Sequence, residues 1–303
     1  MSRALLLLVL LLPAACGSNF DFVRVQRLAV GGDYGDGQTV MSDGQALQIT
    51  VKIQDDATDF NTFDLMRLIV NGVDRTADMT IGGNYAVLTL DPPPIGTPQF
   101  VELFSRTGTM PLDSATYEAM AFTGPTLASV APDTARTGTQ VTIGGSGFGA
   151  GALRVFFGGA EGTVDASTAT TITATVPADA EPGLVFVLVG SDAAEGLVAF
   201  QPLDDMDQPV PAPTNIRLHY VAPARGPIEQ VVLVAGPNFT NDALPKFNNR
   251  YSSRLFNLET LDLPPVGEVF TAFAVVAPYT DPGVGTVLLR YGRDSNALPF
   301  TVE

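Results

Sequence analysis

The sequence predicts an all-β chain, with three consecutive β-sandwich domains behind a short cleaved leader. Three observations predict it. Thirty Gly and 23 Pro among 303 residues punctuate the chain every few positions, which leaves no room for long helices. The apolar residues between them alternate with polar ones at period two, or run unbroken for a strand's length. One stretch also occurs twice. Val130-Ala131-Pro132 stands to Phe148 as Val221-Ala222-Pro223 stands to Phe239. Pro182-Gly183 stands to Phe200 as Pro282-Gly283 stands to Phe300, with Val187-Leu188 matched by Val287-Leu288. Segments that share their turns and apolar positions are copies of one domain.

Residues 1–16 read as a lipoprotein signal. Arg3 gives a positive start, Ala4 to Leu12 is an apolar run too short to span a bilayer, and Ala14-Ala15 precede Cys16. Pro13 stands where such signals carry Leu. Cys16 is the only cysteine, so no intrachain disulfide is possible, and it sits where a lipoprotein is cleaved and acylated. The expectation is a lipid anchor on Cys16 and a place in the cell envelope, with Gly17 favouring the outer membrane. The alternative is a plain secretory signal cut nearby.

Residues 17–124 form the first sandwich. Leu47, Ile49, Val51 and Ile53 alternate with Gln48, Thr50 and Lys52, the pattern of a strand with one wet face. Phe22 to Val30, Leu65 to Val70, Tyr85 to Leu90, Phe100 to Phe104 and Tyr117 to Phe122 continue the series. Asn71-Gly72 turns a hairpin. Two acidic groups have the residue type for calcium, which takes six to eight oxygens. They are Asp33, Asp36 and Asp43, and then Asp55, Asp56, Asp59 and Asp64. Neither matches the EF-hand or nonapeptide calcium-loop spacing, and the plainer reading is solvated turn aspartates.

Residues 125–203 carry an ordered set of motifs. After Val130-Ala131-Pro132 come Gly138-Thr139, Gln140-Val141-Thr142-Ile143, Gly145-Ser146-Gly147-Phe148, Phe156-Phe157-Gly158-Gly159, Thr171 to Pro177 and Pro182-Gly183. This segment resembles the IPT/TIG family, the immunoglobulin-like domains shared by plexins and transcription factors. Residues 214–303 resemble it more weakly, with Glu229-Gln230 in place of Gly138-Thr139 and ten extra residues between Phe239 and Pro278. The resemblance implies an immunoglobulin-like fold and a binding or spacer role outside the cell. It also offers a DNA-binding branch, and it implies no catalysis. Val70 to Thr76 is similar to a turn-plus-strand motif of bacterial immunoglobulin-like domains, which extends the expectation to three such sandwiches.

Aligning the copies places Gly158-Gly159 on Asn248-Asn249, Phe156 on Phe247, Ile172 on Phe273 and Ala174 on Val275. In Thr171 to Val176 the apolar residues face the core and the threonines face water. Little more than Thr123-Gly124-Pro125 separates the first two domains, so they should abut. Residues 204–213, DDMDQPVPAP, predict an extended acidic linker able to hold the last two domains up to ~30 Å apart.

The chemistry is sparse. Gly145-Ser146-Gly147-Phe148-Gly149-Ala150 imitates a dinucleotide loop, but such a loop needs a helix behind it, and Leu153 to Phe157 reads as strand. His219 is the only histidine, placed in the opening strand of the last domain, and no serine context supports a triad. No cofactor is expected. The extra residues of the last copy gather Lys246, Arg250 and Arg254 with Phe247, Tyr251 and Phe256. Lys246, Arg250, Tyr251 and Arg254 are therefore the candidate partner-binding residues, with Tyr251 as a stacking platform. The plain alternative is a charged hairpin that keeps a sheet edge soluble.

The formal net charge of −16 repels phosphate backbones and argues against a nucleic-acid partner. The chain thus reads as a non-catalytic, lipid-anchored module for a macromolecular partner, protein or polysaccharide. The alternatives are an enzyme acting on polysaccharide or its accessory subunit, and a structural subunit of an envelope assembly.

Overall fold

The computed structural model describes residues 20–27, 38–41, 47–53, 66–82, 85–90, 94–121, 124–149, 151–228, 231–252, 254–277 and 279–303. Cys16 and all seven aspartates of the two acidic groups lie outside these residues.

The first sandwich is built from β1 (Phe20–Arg27), β2 (Gln38–Met41), β3 (Leu47–Ile53), β4 (Met66–Val70), β5 (Val73–Asp74), β6 (Thr80–Gly82), β7 (Tyr85–Leu90), β8 (Pro98–Ser105) and β9 (Pro111–Ala121). One sheet runs β1-β3-β7-β6 and the other β2-β9-β8-β4-β5. The second contains β10 (Thr126–Ala131), β11 (Thr134–Arg136), β12 (Gln140–Ser146), β13 (Leu153–Phe157), β14 (Ala160–Ser167), β15 (Thr171–Thr175), β16 (Gly183–Val189), β17 (Asp192–Ala193) and β18 (Val198–Leu203). The third contains β19 (Tyr220–Ala222), β20 (Arg225–Gly226), β21 (Val231–Gly236), β22 (Leu244–Phe247), β23 (Arg250–Tyr251), β24 (Phe256–Leu263), β25 (Gly267–Val275), β26 (Gly283–Tyr291) and β27 (Arg293–Val302). Among the described residues there is no α-helix.

All three share one topology. The opening strand pairs antiparallel with the third strand, as β1 with β3, β10 with β12 and β19 with β21. The short second strand crosses to the other sheet and pairs parallel with the last, as β2 with β9, β11 with β18 and β20 with β27. These are immunoglobulin-like sandwiches. In the second, β14 pairs with both β13 and β15 and stitches the two sheets together. In the third, the extra residues split that strand into β23, on β22, and β24, on β25.

The alternation in Thr171 to Val176 is as expected. Ile172 and Ala174 are fully buried, while Thr171, Thr173 and Thr175 face outward. Each of the last two cores holds the same edge-on aromatic pair. Phe157 meets Phe200 at 5.1 Å and Phe247 meets Phe300 at 5.0 Å between ring centroids. Phe247 therefore corresponds to Phe157, not Phe156, because each immediately precedes its turn. That turn is one device used three times. Asn71, Gly158 and Asn248 all have positive φ, and their amides donate to Phe100, Leu184 and Thr286. In the first and third sandwiches the asparagine side chain also accepts from the facing amide, of Phe100 at 2.8 Å and of Thr286 at 3.1 Å.

Two other correspondences shift. Val130 faces Ile143 and Ile143 faces Ile172, while Val221 faces Val234 and Val234 faces Ala272. Ile172 thus matches Ala272, and Ala174 matches Ala274. Phe273 and Val275 lie on the outer face. On β26 the slip is two residues. Gly183 faces Phe200 but Gly285 faces Phe300, so Val187-Leu188 match Leu289-Arg290. A two-residue slip keeps every side chain on its own face, so alternation alone cannot detect it.

Residues 204–213 are not an extended spacer. Asp204 Oδ1 accepts from the amides of Met206 and Gln208, Arg136 forms an ion pair with Asp207, and Gln201 donates to the Val210 carbonyl. Leu203 bridges back to Pro209. Asx-type turns of this kind compete with polyproline conformation. The last two sandwiches consequently sit against each other, and a single apolar cluster runs through Phe156, Leu184, Phe186 and Leu188 of one and Tyr220, Leu233 and Phe273 of the other.

Candidate functional site

Strand β26 decides what the last sandwich shows to solvent. Val287 and Leu289 point into the core. Val284, Thr286, Leu288 and Arg290 therefore point outward, because side chains alternate along a strand. On the neighbouring β22, Pro245 and Phe247 point inward, and Leu244 and Lys246 outward. Tyr251 on β23 lies opposite Lys246, on the same outer face. It is 43% exposed.

Two cations meet this tyrosine. The Lys246 ammonium lies over the ring, 5.4 Å from its centroid. The Arg290 guanidinium donates to the Tyr251 hydroxyl at 2.7 Å, so it meets the ring at its polar end. Asp294 lies 3.8 Å from Arg290. The hydrogen bond to Tyr251, then the charge interactions with Tyr251 and Asp294, raise the Arg290 pKa above its ordinary value. Leu244 and Leu288, half-buried, floor the patch.

Of the four candidates from the sequence, the structure brings together Lys246 and Tyr251. It does not bring Arg250 and Arg254 to them. Arg250 pairs with Phe247 across the hairpin, so it belongs to the opposite face. Arg254 is tied to Asp242 at 2.8 Å, both well exposed. The third member of the cluster, Arg290, was missed. It lies about forty residues away in sequence, and only the register of β26 on β22 reveals it, with Leu244 facing Arg290.

The same surface exists on the second sandwich with different contents. The two registers match Lys246 to Phe156, Thr286 to Leu184, Leu288 to Phe186 and Arg290 to Leu188. There the four positions are apolar and buried, and they seat the third sandwich. Phe186 packs edge-on against Tyr220 at 5.5 Å and lies 5.7 Å from Phe156. Tyr220 donates to the Ala194 carbonyl at 3.3 Å. Arg217 pairs with Glu181, and Arg225 with Asp192 at 2.7 Å, around the rim. The surface that docks a domain in one copy is open in the next, and it has exchanged apolar side chains for cations.

His219 precedes β19, with its amide donating to the Ala235 carbonyl at 2.9 Å. It is fully buried at the seam between the two sandwiches, against Gly183. Burial first, and then the charge of Arg217, lower its pKa to about 3. The glycine-rich segment at 145–149 is a turn. Strand β12 ends at Ser146, Gly147 has a φ of 75°, Phe148 plugs the core and the next element is a strand. Among the described residues no three His, Cys, Asp or Glu gather as metal ligands, and no helix is long and apolar enough to cross a membrane.

The family comparison agrees with the fold of the second sandwich. Residues 125–202 match the IPT/TIG domain family. No curated protein matches the chain. Among solved structures, the chain is similar to the plexin A4 extracellular region, with 18% identity, 88% of this chain and 22% of that one covered, and a TM-score of 0.25. It is also similar to SGBP-B of the Bacteroides ovatus mixed-linkage glucan utilization locus, solved with a mixed-linkage heptasaccharide. That likeness has 11% identity, covers 93% of this chain and 71% of that one, and has a TM-score of 0.23. An auxiliary nutrient binding protein from Bacteroides ovatus is similar at 15% identity, with 55% and 42% covered and a TM-score of 0.24.

Proposed function

We propose that this protein is a non-catalytic binding module, held in the cell envelope by lipid on Cys16. Its last sandwich holds an anionic polysaccharide across the outer face of β22, β23 and β26. The observation that carries the reading is the cation-flanked Tyr251 on an open sheet face. In a chain with 32 acidic and 16 basic residues, Lys246 and Arg290 converge on one exposed aromatic ring. Carboxylates pair well with guanidinium and ammonium groups, and sugar rings stack on aromatic faces. Val284 to Arg290 gives a strip roughly 20 Å long, at about 3.3 Å per residue, suited to an extended chain.

A permanent protein dock fits the face less well. Such docks are apolar, as the equivalent face of the second sandwich is, and lysine is depleted from their centres. Among the described residues, the displaced carboxylates Asp74, Glu161 and Asp207 are all lowered, by hydrogen bonds from Thr76, Arg154 and Arg136 respectively. A general acid needs the opposite shift.

Native gels cast with soluble polysaccharides test the reading. Polygalacturonate should retard the wild type and a neutral β-glucan should not. Lys246→Glu with Arg290→Glu should abolish retardation, and salt above ~0.15 M should weaken it. Equal retardation of both proteins by polygalacturonate, each judged against a gel without polymer, or release of reducing sugar by purified protein, would overturn the proposal.

A further inference from the structure

The seam between the last two sandwiches contains one group that fits it only in one protonation state. We infer that this seam is an acid-labile joint, in which a proton on His219 unseats the third sandwich from the second while both remain folded.

The geometry sets this up. His219 is fully buried, and neither ring nitrogen has a hydrogen-bond partner among the described residues. Its ring lies so close to Gly183, at the start of β16, that a Cβ there would overlap the imidazole. Behind it, β21 (Val231–Gly236) carries no charged residue. Two charged groups flank the seam here, and neither bonds the imidazole. Arg217, two residues earlier on the same segment, is a cation. Glu181, from the loop before β16, gives one carboxylate oxygen to that arginine, and its other, Oε2, is buried with no partner and makes no hydrogen bond to the imidazole. An imidazolium here would be a buried cation beside another cation, with no acceptor for its two N–H donors. Parting the domains would let it reach water without breaking a strand ladder, because among the described residues no strand pairing crosses the seam.

The sign follows from the direction of the shift. In the closed joint the pKa is about 3, against an ordinary 6.5. The neutral form is therefore the one that closes the joint. Its contribution is complete above pH 6.5 and is lost as pH falls from 6.5 towards 3. Within that window each pH unit shifts the closed-to-open ratio up to about tenfold towards open, roughly three thousandfold in all. The rim pairs Glu181–Arg217 and Asp192–Arg225 also hold the joint, so the informative comparison is with a variant that keeps both pairs and loses only the imidazole.

The test is small-angle scattering and far-ultraviolet circular dichroism of the full chain from pH 7 to pH 3, for wild type and His219→Leu. His219→Gln replaces the leucine variant if that one does not fold. The single histidine also lets its imidazole be followed by NMR without assignment. In the wild type the radius of gyration should rise below about pH 5 with the dichroism unchanged. The imidazole should titrate with that rise and not near 6.5. The variant should stay compact to a pH at least one unit lower. Coincident opening of wild type and variant would overturn the inference. So would an imidazole titrating near 6.5 in a compact protein, a wild type that stays compact to pH 3, or a wild type that loses its dichroism together with its compactness.

Discussion

Phe186→Ala probes the seam between the second and third sandwiches from its apolar side. Phe186 is fully buried, yet it points away from the core of its own sandwich. Its ring meets Tyr220 edge-on at 5.5 Å and lies 5.7 Å from Phe156. Truncating a buried phenylalanine costs about 3–5 kcal/mol, of which an aromatic pair supplies about 0.5–1.5. Nearly all of that cost should fall on the contact between domains, since Phe157 and Phe200 still fill the core behind it. Guanidinium denaturation read by circular dichroism should show the loss. Amide exchange should show faster opening around Leu233 and Phe273 of the third sandwich as well as along β16. A loss below ~1 kcal/mol, or faster exchange confined to residues 125–203, would show that the two sandwiches do not support each other.

Three further outcomes follow. Ile172→Asp should cost several kcal/mol by burying an unpaired charge, and Thr173→Asp, on the wet face, under about 1 kcal/mol, both by thermal denaturation. Cys16→Ser should release the protein from membranes into the soluble fraction, and persistence in the membrane pellet would remove the lipid anchor. Arg254→Ala should leave polygalacturonate retardation unchanged, because Arg254 is engaged with Asp242 and stands apart from the Tyr251 cluster.

Much of the fold was legible because strands announce themselves at period two and the repeat fixes the turns. Ile172 and Thr173 fell on the correct faces for that reason. The errors lie where periodicity carries no information. On β25 both faces are apolar, because the second sandwich covers the outer one, so Phe273 read as core when Ala272 holds that place. On β26 a two-residue slip preserved every face. The segment at 204–213 read as extended from its prolines, but Asp204 folds it with two side-chain hydrogen bonds and Arg136 pins it through Asp207. The site was half legible. Lys246 and Tyr251 could be found as a local excess of cation and aromatic. Arg290 could not, since its membership depends on strand register. Arg250 and Arg254 were close in sequence but are parted by the hairpin's two faces and by Asp242.

The measurement that bears most directly on the central claim is hydrogen–deuterium exchange of the full chain with and without polygalacturonate. Protection should concentrate in 244–251 and 284–290, the strands that carry Lys246, Tyr251 and Arg290. Exchange should stay unchanged in 126–146, where the outer face of the second sandwich carries threonine and serine. Protection confined to residues 20–121, or absent from both predicted strands while the polymer is demonstrably bound, would contradict it.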